Sequence, residues 1–96
     1  MEITKTENGK ELIIKVNGRI DTTNSSELEN ALLGIENYES LVLDFECLEY
    51  ISSVGLRIIL SAHKRMKGNL TIKQPNEFIQ EVFDLTGFTT ILKIED

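Results

Sequence analysis

A chain of 96 residues has the length of one domain, and at that size roughly 60–65% of the unfolded surface is buried, enough for one core. With 41% hydrophobic and 27% charged residues, it is neither a disordered tail nor a membrane-embedded protein. Ten Lys and Arg against 16 Asp and Glu give a net charge of −6, which argues against direct binding to nucleic acid or to anionic membranes.

Met1–Glu7 and Glu11–Val16 read as strands, with Ile3 and then Leu12, Ile13, Ile14 and Val16 as β-prone residues. Asn8-Gly9 between them predicts a type I′ hairpin turn, which needs positive φ at both central positions. Asn17-Gly18 is expected to end the second strand. Asp21-Thr22-Thr23-Asn24 offers N-cap residues to a helix whose Leu28, Ala31, Leu32 and Ile35 form one apolar stripe. Leu41-Val42-Leu43-Asp44-Phe45 reads as a central strand covered on both faces, reached by a right-handed β-α-β connection. A loop then leads to the clearest helix, Ser52–Lys67. There Leu56, Ile58, Ile59, Leu60, Ala62, His63 and Met66 share one arc, and Arg57, Ser61, Lys64 and Arg65 fill the other. Gly68 supplies the stop. Leu70–Lys73 reads as a strand, and Asn76 caps a last helix carrying Phe78, Ile79, Val82 and Phe83. That helix ends at Thr86-Gly87 with Phe88 in hydrophobic contact, and Thr90–Ile94 reads as a short final strand. The expected fold is α/β: a mixed β-sheet of about four to five strands with helices packed on it.

The charge is segregated along the chain. Ile20–Leu56 holds eight acidic residues and no basic one, whereas Tyr50–Asn76 holds five basic residues and no acidic one. Two solvated faces and a polarised interaction surface are both open readings of this pattern. The opening residues lack the pattern of a secretory leader, so the expected location is the cytoplasm. One cysteine, Cys47, forms no internal disulfide, and with a single histidine the usual zinc frameworks are out of reach; no metal or cofactor is expected.

Enzymatic readings are weak. His63 falls among Leu56, Ile59 and Met66 as a partly buried structural residue, and Cys47 stands beside Glu46 and Glu49, which oppose thiolate formation. A Ser53–His63 hydrolase would need two residues of one helix that lie roughly 15 Å apart by helical rise to meet. Neither phosphate-binding glycine motif is present. The informative stretch is Tyr50-Ile51-Ser52-Ser53-Val54-Gly55-Leu56, where two serines open the strongest helix. A serine there caps the helix, and the same free N–H groups and positive dipole end favour a phosphate. Gly55 is expected to leave room for another molecule beside the serines, with Arg57 and Lys64 as a basic edge.

The stretch Leu48-Glu49-Tyr50-Ile51-Ser52-Ser53-Val54-Gly55-Leu56-Arg57-Ile58-Ile59-Leu60 resembles the signature of STAS domains, specifically of bacterial anti-sigma factor antagonists. Gly18-Arg19-Ile20-Asp21, Leu41-Val42-Leu43-Asp44-Phe45 and Phe83-Asp84-Leu85-Thr86-Gly87-Phe88 fit the family in order and spacing, so the resemblance extends over residues 1–96 as one STAS domain. It implies a protein switch with no enzymatic activity of its own. The unphosphorylated antagonist binds an anti-sigma factor that is also a serine kinase, which frees the sigma factor. Phosphorylation ends the interaction, and a PP2C-type phosphatase restores it. Matched residue by residue, the phosphoacceptor falls on Ser53, with Ser52 as second choice, and the switch region comprises Ser52, Ser53, Val54, Gly55 and Arg57. The family often has Asp before the phosphoserine and Ser or Thr after it, where this chain has Ser52 and Val54. These departures leave a second reading open: a STAS subunit of a transporter or signalling complex that is never phosphorylated.

Overall fold

In the computed structural model, which describes residues 1–96, two edge-paired strands open the chain: β1 (Glu2–Asn8) and β2 (Glu11–Ile20). They pair antiparallel from Glu2↔Asn17 to Asn8↔Glu11, so the central residues of the turn are Gly9 and Lys10, one step later than the sequence predicts. Only Gly9 has positive φ (+64°), as a type II′ turn requires, whereas type I′ would need it at both positions. Beyond Val16, β2 runs on through Gly18 instead of ending there. Gly18 takes φ +104°, and its ladder register shifts between Gly18 and Arg19, so the strand bends and continues.

That bend allows one strand to serve two neighbours. The first half of β2 pairs in parallel with β3 (Ser40–Asp44), and its last residues pair in parallel with β4 (Leu48–Ile51). β4 occupies the stretch expected to be a loop; its four residues are too few to carry a period-2 signal. Beyond β3 come β5 (Leu70–Lys73) and β6 (Lys93–Glu95), both parallel. The sheet therefore has six strands in the order β1-β2-β3-β5-β6, with β4 beside the end of β2.

Helix α1 (Ser25–Ala31) links β2 to β3, α2 (Ser53–Arg65) links β4 to β5, and α3 (Glu77–Thr86) links β5 to β6. Each crossover advances in the same direction across the sheet. Right-handed connections that all advance one way place every helix on one face. Leu12, Ile14, Val16, Leu41, Leu43, Leu70 and Ile72 join Leu28, Leu32, Ile59, Ala62, Ile79 and Phe83 in one core cluster. Val42 is also buried, yet it lies outside that cluster, in register between Ile13 and Thr71 on the opposite face. The central strand is thus covered by helices on one face only, against the expectation of two. Its bare face is shielded by neighbouring side chains, and one row there runs Lys15, Asp44, Lys73, Glu95 across adjacent strands.

The last helix behaves as its sequence predicts. The Asn76 side chain caps it by accepting the Ile79 N–H at 2.8 Å, Gly87 closes it at φ +80°, and Phe88 stacks on Phe83 at 6.2 Å. Residues Phe88–Thr90 then form a 3-10 turn, and the final strand starts at Lys93 instead of Thr90.

Candidate functional site

The site is built where β4 turns into α2. The Ser52 backbone N–H donates to the Ile20 carbonyl at 2.8 Å, extending the β2–β4 ladder to the first residue outside the helix. Ser52 is then the N-cap: its Oγ accepts the Gly55 N–H at 3.2 Å, and the side chain is buried. Ser53, one residue on, is exposed at the first helical position. The two hydroxyls therefore differ in kind, one occupied by the backbone and one facing solvent. Val54 is half-buried, and Arg57 and Lys64 are exposed on the outer side of the helix, as the wheel predicts.

This division makes a prediction. Ser52→Ala removes a cap and should cost about 1 kcal/mol of stability, while Ser53→Ala should stay within about 0.5 kcal/mol of the original protein. Urea unfolding of both variants checks the difference.

Gly55 corrects the sequence reading. It is buried, and a Cβ there would lie 2.7 Å from Ile20 Cγ2 and 2.8 Å from Ile51 Cγ1. The missing side chain serves inward packing of α2 against β2 and β4, not the approach of another molecule. Gly55→Ala should gain about 1 kcal/mol in helix propensity but lose more to overpacking. A net loss of about 1–2 kcal/mol in unfolding free energy is expected by the same urea assay.

Beside the serines, the β2–α1 connection is locked by its own side chains. Asp21 Oδ1 accepts the Thr23 hydroxyl at 2.6 Å, the Thr23 N–H at 2.9 Å and the Asn24 N–H at 3.2 Å. Asn24 Oδ1 accepts the Asp21 N–H, and its amide donates to the Arg19 carbonyl at 2.8 Å. The Thr23 hydroxyl above all, then the Thr23 and Asn24 N–H groups, hold the Asp21 carboxyl below its usual value of 3.8. A carboxyl depressed in the folded state stabilises the protein above its unfolded pKa, and the contribution fades as pH falls through the folded value. Thermal melts taken downward from pH 5 should therefore drop less steeply for Asp21→Asn than for the original protein.

Sequence reasoning missed one surface feature here. The Arg19 guanidinium sits 4.5 Å over the Tyr50 ring, and Tyr50 stacks on Phe78 of α3 at 5.8 Å. Arg19 and Tyr50 are cross-strand partners, so only recognition of β4 as a strand beside β2 would have revealed the ladder. His63 is half-buried on α2, ten residues after Ser53, and Cys47 accepts the Gly18 N–H through its carbonyl. No group of three or more His, Cys, Asp or Glu side chains converges anywhere, and no helix is long and apolar enough to cross a membrane.

One ion pair ties α2 to its neighbour. Arg65 clips α2 to the segment after α1, donating to Glu36 Oε1 and to the Leu32 carbonyl, both at 2.7 Å, and to Glu36 Oε2 at 3.2 Å. The acidic and basic stretches of the sequence are thus neighbours in space, since α1 packs directly on α2.

Known proteins share this fold. BtrV of Bordetella bronchiseptica, which carries the name of an anti-sigma factor antagonist, is 33% identical over 88 residues, spanning 86% of this chain and 76% of BtrV. An anti-sigma factor antagonist from Mycobacterium paratuberculosis superposes with a TM-score of 0.89 at 19% identity, over 98% of this chain and 84% of the other. The anti-sigma factor antagonist SpoIIAA in its unphosphorylated form superposes with a TM-score of 0.79 at 14% identity, over 99% and 88% of the two chains. SpoIIAA from Bacillus in the phosphorylated form gives a TM-score of 0.76 at 14% identity, over 97% and 90%. Residues 2–96 match the STAS domain family model. With that match over nearly its whole length, with the six-stranded sheet, and with the serine-opened α2, the chain belongs to the STAS domain family.

Proposed function

We propose that the protein is an anti-sigma factor antagonist whose binding is switched off by phosphorylation of Ser53. In this reading the unphosphorylated form holds an anti-sigma factor with serine kinase activity, releasing a sigma factor in the cytoplasm, and a PP2C-type phosphatase resets the switch. Residues 1–96 act as one binding unit without catalysis of their own. The observation that carries the reading is the division of labour at the start of α2: Ser52 is buried and capping, Ser53 exposed. BtrV supports the antagonist role through its name, and SpoIIAA supports the switch by existing in phosphorylated and unphosphorylated forms.

The chemistry is simple at this position. The Ser53 hydroxyl faces solvent at a helix N-terminus, where the dipole and free N–H groups favour the added negative charge. Arg57, one turn further on, lies at the spacing at which helical side chains meet. Ser52 has its oxygen engaged with Gly55 and little surface for a kinase to reach.

The test is to incubate the protein with its cognate anti-sigma factor and ATP, then map phosphate by mass spectrometry. One phosphate on Ser53, absent in Ser53→Ala, is the expected result. Phosphate on Ser52, or on neither serine while the complex still forms, would overturn the switch and favour a STAS subunit that is never phosphorylated.

A further inference from the structure

We propose that the outer face of α1 and α2 is the contact surface of a reversible two-fold dimer of this chain. A groove of about 210 Å³ lies between the two helices, with Leu32, Leu33 and Ile58 as its apolar lining and Glu29 and Arg65 at its edges. Leu33 is 69% exposed on the rim, a large apolar side chain with nothing to cover it. Glu27 and Glu29 are exposed on α1, and Arg57 and Lys64 are exposed on α2. None of these four charges belongs to an ion pair; the pairs present are Lys10–Glu39 and Arg65–Glu36. The face is therefore acidic along one helix and basic along the other, with an apolar seam between.

Such a face is complementary to itself in one orientation. Both helices return from one end of the parallel strands to the other and so run side by side in the same direction, clipped at their C-terminal ends by Arg65 and Glu36. A two-fold axis lying along the seam sets α1 of one copy against α2 of the other, acid facing base twice, and brings both Leu33 side chains into the opposing grooves. An in-plane axis at right angles would stack α1 on α1 and α2 on α2, like charge on like. The thirteen residues of α2 cover roughly 20 Å and the seven of α1 about 10 Å, each as a strip about 10 Å wide. The area buried in total, about 600 Å², is well below that of stable complexes, so the dimer is weak and reversible.

Sedimentation equilibrium of the full chain over a concentration series tests this, at about 50 mM and about 500 mM salt. A monomer–dimer equilibrium that weakens with salt is expected. Leu33→Asp should weaken it at least tenfold, with circular dichroism confirming the fold, since the side chain contributes little to the core. Arg57→Glu with Lys64→Glu should also weaken it at least tenfold. Adding Glu27→Lys and Glu29→Lys to that pair should restore association to within about threefold, because both faces are then reversed together. A monomer at every concentration, a dimer indifferent to Leu33→Asp, or a fourfold variant no better than the double one would overturn the proposal. A monomer that instead holds a different protein on this face counts as the same refutation.

Discussion

Phosphorylation of Ser53 is expected to weaken binding of the anti-sigma factor several hundredfold while leaving the fold intact. The phosphate brings about 1.5–2 negative charges to an exposed helix start. In the free protein the N-terminal dipole and Arg57 accommodate them, so the melting temperature should change by only a few degrees. In a complex fitted to a neutral hydroxyl, the phosphate loses its water and finds no counter-ion prepared for it. A loss of ~3–4 kcal/mol is typical of a charge left unpaired in an interface, and each 1.4 kcal/mol is a factor of ten in Kd. Ser53→Asp, with one charge and a shorter reach, should weaken binding by roughly tenfold or more, and Ser53→Ala should bind much as the original does. Calorimetric titration of each form with the anti-sigma factor gives the ratios. A phosphoprotein that binds within tenfold of the unmodified one would rule out electrostatic exclusion as the switch.

The second large effect belongs to the core. Phe83→Ala should cost about 3–5 kcal/mol, because it empties a fully buried aromatic site and leaves a cavity between α3 and the sheet. The substitution also removes the stack on Phe88 that pins the chain after Gly87 and sets the start of the path into β6. Domains of this size hold only about 5–15 kcal/mol in total, so a large part of the stability goes with one ring. The melting temperature should fall by roughly 15–30 °C, with the urea midpoint moving in proportion. A fall of under 5 °C would mean that α3 docks independently of the rest of the core. The exposed neighbour Leu85, at 80% exposure, is the matched control and should be nearly silent.

What the residues made legible follows from where periodicity has room to act. The thirteen residues of α2 span more than three turns, and its buried Leu56, Ile59 and Ala62, with Met66 at the C-cap, fall where a 3.6-residue period puts them. The Asn76 cap and Gly87 stop of α3 are local chemistry and appear in the structure as read. β4 was invisible because four residues directly after β3 show no period, and because its partner is the far end of a strand expected to stop at Val16. Nothing in the run Leu41–Phe45 distinguishes burial under helices from burial between Ile13 and Thr71, so the bare face of the sheet could not be read from it. At the site, the helix start and both serines were legible. The residues alone do not say which serine caps, since two hydroxyls in sequence offer the same atom to the same N–H group; the family resemblance orders them as phosphoacceptors, with Ser53 first, and Ser52 is the cap. Gly55 departs from its sequence reading for a related reason: a glycine says that space is scarce or needed, but only the positions of Ile20 and Ile51 say on which side.

The row Lys15, Asp44, Lys73, Glu95 on the helix-free face gives that side an electrical character of its own. Charges of opposite sign on adjacent strands, about 5 Å apart, largely cancel each other's field a short distance into solvent. The opposite side carries the separated charges of α1 and α2 and projects a dipole that survives further out. That row therefore adds little to the field a charged partner meets, whereas the α1–α2 side presents separated patches of each sign. An acidic partner is thus oriented toward α2, and a basic one toward α1, before any contact is made.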